Sequence, residues 1–218
     1  PLRTYLLNLG TEGGYNFMLN ILRKDIKDLD MAWYRQDFNI HPLPYWREND
    51  EPNRAGITEI KYINGLYRLL GQLMEEFPSL MIDNCASGGS RLDIEMMRYS
   101  VPLWRSDYQC SAKADADACQ AQMMGGAGWM PYTAAGVAGD PSDTYRIRSG
   151  YSNGISLCYD GDFHTSTWYP YSFEEYKDKV VQLKKLVHEF KSIRKYFDGD
   201  YYPLMPQSLD KTHFCAWQ

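Results

Sequence analysis

Short apolar runs alternate along the chain with stretches whose apolar residues recur every three or four positions, the pattern of strands alternating with amphipathic helices. A run at 6–9 predicts a strand; after Gly10 and Thr11 a helix follows, with Phe17, Ile21, Leu22 and Ile26 on one side. The run at 31–38 predicts a second strand, and the loop after it holds Pro42, Pro44 and Pro52 with Tyr45 and Trp46 side by side. Over 58–77 the spacing of Ile60, Ile63, Leu66, Leu70, Leu73 and Phe77 predicts a long amphipathic helix that Pro78 ends. Further strands are expected at 80–84, 101–106, 129–133 and 155–159, with helices near 94–98, 114–124 and 143–151. Ser172 and Glu175 form a capping box for the last helix, whose apolar face is Val180, Leu183, Val187, Phe190 and Ile193; 212–217 reads as the first strand of something further.

That order predicts repeated βα units and a parallel sheet. About six strands are too few to close an eight-stranded barrel. An open doubly wound sheet is the rival arrangement, but no Gly-rich phosphate loop follows the first strand. The preferred reading is α/β, a truncated (β/α)8 TIM barrel. Such barrels keep their chemistry at the C-terminal ends of the strands, where the polar residues of this chain cluster.

Composition narrows the chemistry. With 44% hydrophobic and 15% aromatic residues the chain can bury a sizeable core, and a net charge of -5 leaves no basic field to hold nucleic acid. No apolar run approaches the roughly 20 residues needed to cross a bilayer, so no membrane partner is expected. The five cysteines form no C-x-x-C pair and the four histidines are scattered, so reduced thiols, no metal site and no cofactor are expected. Catalysis is therefore sought among carboxylates. The chain opens at Pro1, which reads as the middle of a domain rather than its start.

Three segments put carboxylates and donors at the exits of apolar strands: Trp33-Tyr34-Arg35-Gln36-Asp37-Phe38-Asn39, the run from Asp83 through Cys85, Gly88 and Arg91 to Asp93, and Trp104-Arg105-Ser106-Asp107. Because side chains alternate along a strand, Arg35 is expected on the face of Asp37 and Arg105 on that of Asp107, each a partner that offsets the cost of burying an acid. The plainer reading makes these aspartates caps of the following helices. No helix periodicity begins directly after Asp37, which weakens it there. Two carboxylates at neighbouring strand ends suit glycoside cleavage, in which one attacks the anomeric carbon and the other protonates the leaving oxygen; retaining enzymes hold them about 5–5.5 Å apart.

The three segments resemble the motifs of glycoside hydrolase family 36, the α-galactosidases: K-W-D-x-N, C-x-x-G-x-x-R and a W-x-S-D segment. The resemblance implies that Asp37 is the nucleophile and Asp107 the acid/base, with Arg35, Asn39, Cys85, Gly88, Arg91 and Trp104 on the substrate. Trp46 is a further candidate for stacking on a sugar ring, with anchoring of its loop the equal alternative. Asp93 reads as a helix cap, and Asp160 and Asp162 stand at the end of a later strand. Where the family has Lys then Trp before the nucleophile, this chain has Arg35 and Gln36. A planar guanidinium is not an equivalent replacement for an ammonium, so galactose specificity follows less directly than the reaction type.

The resemblance further implies that the chain runs from about the third barrel strand to the eighth over 1–205 and enters a C-terminal β domain at 206–218. It implies hydrolysis of terminal α-linked galactose on an oligosaccharide or glycoside, by double displacement. An α-N-acetylgalactosaminidase or a transferase of the raffinose-synthase kind is the alternative of the same class, and a non-catalytic sugar-binding barrel that of another. Members of the family are often homo-oligomers.

Overall fold

In a computed structural model of the chain, residues 4–110, 115–130, 132–158, 173–208 and 210–218 are described. Ser172 of the expected capping box, and Asp160 and Asp162, lie outside them. The chain forms two compact units, one of Pro1–Asp83 with Asp93–Ser100, the other of Asn84–Leu92 with Val101–Gln218.

The first unit contains α1 (Glu12–Asp28), β1 (Trp33–Asp37), α2 (Leu43–Glu48), α3 (Ile57–Glu76) and most of β2 (Met81–Cys85). α1 starts where the Thr11 hydroxyl accepts from the Gly14 amide at 3.2 Å. Its buried residues are Tyr15, Leu19, Leu22 and Ile26, spaced by four, three and four. Phe17 and Ile21, expected on the core side, are exposed, because the neighbouring helix lies against the Tyr15 side.

α3 has Gly56 at its N-terminus in the left-handed region, φ 97°, with no side chain to cap the helix. Asp50 does that work from outside: its carboxylate accepts from the amides of Gly56 at 2.7 Å and Thr58 at 2.9 Å. α3 then buries Tyr62, Leu66, Leu69, Leu70 and Leu73, which pack with α1 residues and with Leu80, Ile82 and Met96 in one apolar core. Gly10 and Gly65 let two backbones meet. A methyl at Gly65 would collide with the Leu9 carbonyl, and one at Gly10 would lie 2.8 Å from Lys61 of α3. The expected strand at 6–9 is a correction: among the described residues no ladder forms on it, so it carries no strand.

The second unit contains α4 (Ala116–Ala127), β3 (Ala134–Val137), α5 (Thr144–Ser149), β4 (Gly154–Leu157), α6 (Phe173–Ile193), β5 (Pro203–Met205) and β6 (Ala216–Trp217). β3 and β4 are parallel, Ala134 opposite Gly154 and Val137 opposite Leu157, with α5 as the crossover between them. α5 begins at Asp143, whose carboxylate accepts from the Arg146 amide at 3.1 Å. Its Ile147 packs with Val137, Tyr151, Leu186 and Phe190, and the Tyr151 hydroxyl donates to the Leu186 carbonyl at 2.9 Å. β5 and β6 pair antiparallel with an irregular register.

Two strands move from their expected places. Over 101–106 only Val101 remains, as an isolated bridge residue whose carbonyl accepts from Asn84 at 3.1 Å; Pro102 has no amide hydrogen to continue a ladder. The strand expected at 129–133 forms instead at β3. Its Ala-Ala-Gly-Val sequence is buried at every position and lacks the bulky alternation that marks a strand.

Candidate active site

Arg35 and Asp37 stand two apart on β1 and therefore on one face, as their spacing predicts. One Nη of Arg35 lies 3.4 Å from an Oδ of Asp37. Its other Nη makes a closer ion pair with Asp83 on β2. The two carboxylates differ sharply in setting: the Asp37 side chain is 40% exposed and that of Asp83 only 3%. Asn39, two residues beyond Asp37, is exposed.

Asp83 is the charged residue beside Arg35 that sequence reasoning passed over, although it stands inside a quoted motif. Its signal is an acid in the otherwise apolar run Leu80-Met81-Ile82, a position that costs several kcal/mol unless a cation or strong donors meet it. A strong candidate cation, Arg35, is on the neighbouring strand.

Trp46 is placed otherwise than expected for a residue against sugar. It is 7% exposed in the core of the first unit, its ring tilted on that of Tyr62 with centroids 5.3 Å apart. Tyr45 shares a hydrogen bond of 2.5 Å with the Thr4 hydroxyl. Both contacts fit the anchoring role for this loop. Asp93 acts as the cap it was expected to be, accepting from the Met96 amide at 2.8 Å, and it also accepts from the Tyr67 hydroxyl at 3.1 Å.

In the second unit the middle motif forms a tight turn. Cys85 is buried, the Asn84 amide donates to the Arg91 carbonyl at 3.2 Å, and Ser87 and Gly88 both have positive φ, 44° and 74°. Gly88 packs on the backbone just before Asp107: a methyl there would lie 2.6 Å from the Asp107 nitrogen and 2.7 Å from Ser106 Cα. A methyl on Gly89 would meet the Arg105 carbonyl.

Asp107 opens a single 3-10 turn, Asp107–Cys110, and is exposed. Its Oδ1 accepts from Trp104 Nε1 at 2.9 Å. The edge of the Trp104 ring lies over Gly136 of β3, where a methyl would come within 2.9 Å of it. So Gly136 makes room for the indole, and the indole orients the acid.

Arg105 does not turn to Asp107, which corrects the second expected pair. The chain leaves extended geometry at the 3-10 turn, so the alternation that would put both on one face does not apply. Arg105 is 7% exposed, with Nη1 3.9 Å from Met123 Sδ and, among the described residues, no hydrogen-bond partner at Nε or Nη2. Burial pulls this guanidinium down to about 10, which leaves it charged at neutral pH. Burial also raises the thiol of nearby Cys119, an effect the Arg105 charge offsets only in part.

A melibiase family model matches residues 2–198. This chain belongs to the melibiase family. Among curated relatives it is 30% identical over 103 residues to α-galactosidase 1 of Pediococcus pentosaceus, covering 47% of this chain and 14% of that protein. It is 32% identical over 101 residues to an α-galactosidase of Escherichia coli, covering 44% of this chain and 14% of that protein. The chain thus spans about one seventh of the length of these relatives, 14% in each case. Among solved structures, the family 36 α-galactosidase AgaA of Geobacillus stearothermophilus aligns over 100% of this chain and 30% of its own, with a TM-score of 0.70 at 20% identity. An α-galactosidase of Lactobacillus brevis aligns over the same shares with a TM-score of 0.68. The fold is that of part of the TIM-barrel region of these enzymes.

Proposed function

We propose that the protein to which this chain belongs is a retaining α-galactosidase, with Asp37 as nucleophile and Asp107 as general acid/base. The observation that carries the proposal is the family match over 2–198, which includes both aspartates. The local settings support it. Asp37 sits at the end of β1, partly open, with a guanidinium beside it, and Asp107 is exposed and held by an indole N–H.

In the first step the Asp37 carboxylate attacks the anomeric carbon, the glycosidic C–O bond breaks, and Asp107 gives its proton to the departing oxygen. In the second, Asp107 takes a proton from water, the water oxygen bonds to the anomeric carbon, and the ester bond to Asp37 breaks to free galactose. No cofactor enters this balance. Arg35, Asn39, Cys85, Gly88, Arg91 and Trp104 are proposed around the sugar. The proposed substrates are oligosaccharides, and two substituted variants of AgaA of Geobacillus stearothermophilus, a relative in fold, have been solved in complex with stachyose and with raffinose. The same reading takes 1–205 as barrel strands three to eight and 206–218 as the start of a C-terminal β domain.

The test is made on the full-length protein with aryl α-galactosides. Asp37→Ala should abolish turnover, and azide or formate should restore part of it with inverted product. Asp107→Ala should harm poor leaving groups far more than good ones. Unchanged turnover in Asp37→Ala would end the proposal.

A further inference from the structure

We infer that Asp83 is a positioning residue, a buried carboxylate that fixes the Arg35 guanidinium and through it the carboxylate of Asp37. The inference rests on the reading of Asp37 as nucleophile.

Three observations lead to it. Asp83 is among the least exposed acids of the first unit, in a strand whose neighbours Ile82 and Asn84 are also buried. Its ion pair with Arg35 supplies the charge without which that burial would be costly. And the same guanidinium presents its second Nη to Asp37 at 3.4 Å, so one planar fork spans carboxylates on β1 and β2.

The planarity matters. Nη1 and Nη2 are held rigidly in one plane, so fixing the first against Asp83 fixes the direction of the second. A lysine has one ammonium on a flexible stem and cannot transmit direction in that way. The Asp37 side chain has 40% of its surface open, and the guanidinium is a directional contact able to hold it against the sugar. An Asp83 that only tied β1 to β2 would affect unfolding and leave turnover of the folded protein alone.

A double-mutant cycle on the full-length protein separates these roles. kcat/KM for an aryl α-galactoside and the unfolding midpoint would be measured for Asp83→Asn, Arg35→Gln and the pair. Each single change should lower kcat/KM by about tenfold or more, and the pair should be little worse than the worse single variant, because both remove one device. Losses that multiply, or an Asp83→Asn loss under about twofold at a temperature where it is folded, would overturn the inference. If Asp83→Asn does not fold, Arg35→Lys decides: kcat should fall by about tenfold with KM changed by less than about threefold, and an unchanged kcat counts against the role. A wild-type protein that turns over no α-galactoside refutes the proposed function and this inference with it, whereas turnover with multiplying losses refutes the inference alone.

Discussion

Two catalytic candidates, two neighbouring arginines and one rule of alternation gave opposite results. At Arg35 and Asp37 the rule holds because both residues lie within one regular strand. At Arg105 and Asp107 it fails because the second residue begins a 3-10 turn, and the cation goes inward beside Met123. Side-chain direction was legible only where the backbone stayed periodic. Gly88 gives a prediction of the same size. A side chain there meets both a positive φ, which costs about 1–2 kcal/mol for an L-residue, and the backbone of Ser106 and Asp107. Gly88→Ala in the full-length protein should therefore displace the acid. It is expected to lower kcat/KM by about tenfold or more for an alkyl galactoside and by less for one with an acidic phenol leaving group. Equal losses on the two substrates would separate Gly88 from the proton-transfer step.

The longest periodic helices read more faithfully than the short elements: α2 forms inside the expected loop, and only a 3-10 turn, Met96–Arg98, stands where a helix was expected near 94–98. α3 was expected over 58–77 and spans Ile57–Glu76, since its periodicity runs for five turns and Pro78 follows. The identity of its core face was less legible. Leu73 is 0% exposed while Ile60, counted with it from spacing, is 58% exposed. Leu73→Ala should cost about 2–5 kcal/mol in denaturant unfolding and Ile60→Ala under about 1 kcal/mol. Similar costs would show the core to be assigned wrongly.

The start of α3 carries a pH signature. Asp50 is held down to about 2 by the Gly56 amide first and the Thr58 amide second, with the hydroxyl of Thr58 and Arg47 adding less. Its folded pKa lies below the unfolded value of about 3.9, so its contribution is present above that value and is lost as pH falls toward 2. Replacing it by Asn should lower the unfolding midpoint at neutral pH. Below about pH 4 the difference between Asp50→Asn and wild type should shrink, which midpoints measured across that range would check.

At the scale of the chain, the alternation of strands and helices was readable, since it depends on pattern. Less was readable where structure arises from absence. β3 is built from small residues that let covering elements close on both faces, and Ala-Ala-Gly-Val announces no strand by its own bulk. Asp83 was visible as a letter but not as a role, because its partner stands 48 residues away on β1.

The meeting of Gly10 and Gly65 has its own outcome for how such a protein can change over time. Where main chain rests on main chain there is no rotamer to adjust and no spare volume to absorb an added carbon. Leucines around that seat can be traded for others of like size. The seat itself admits one residue type on each side.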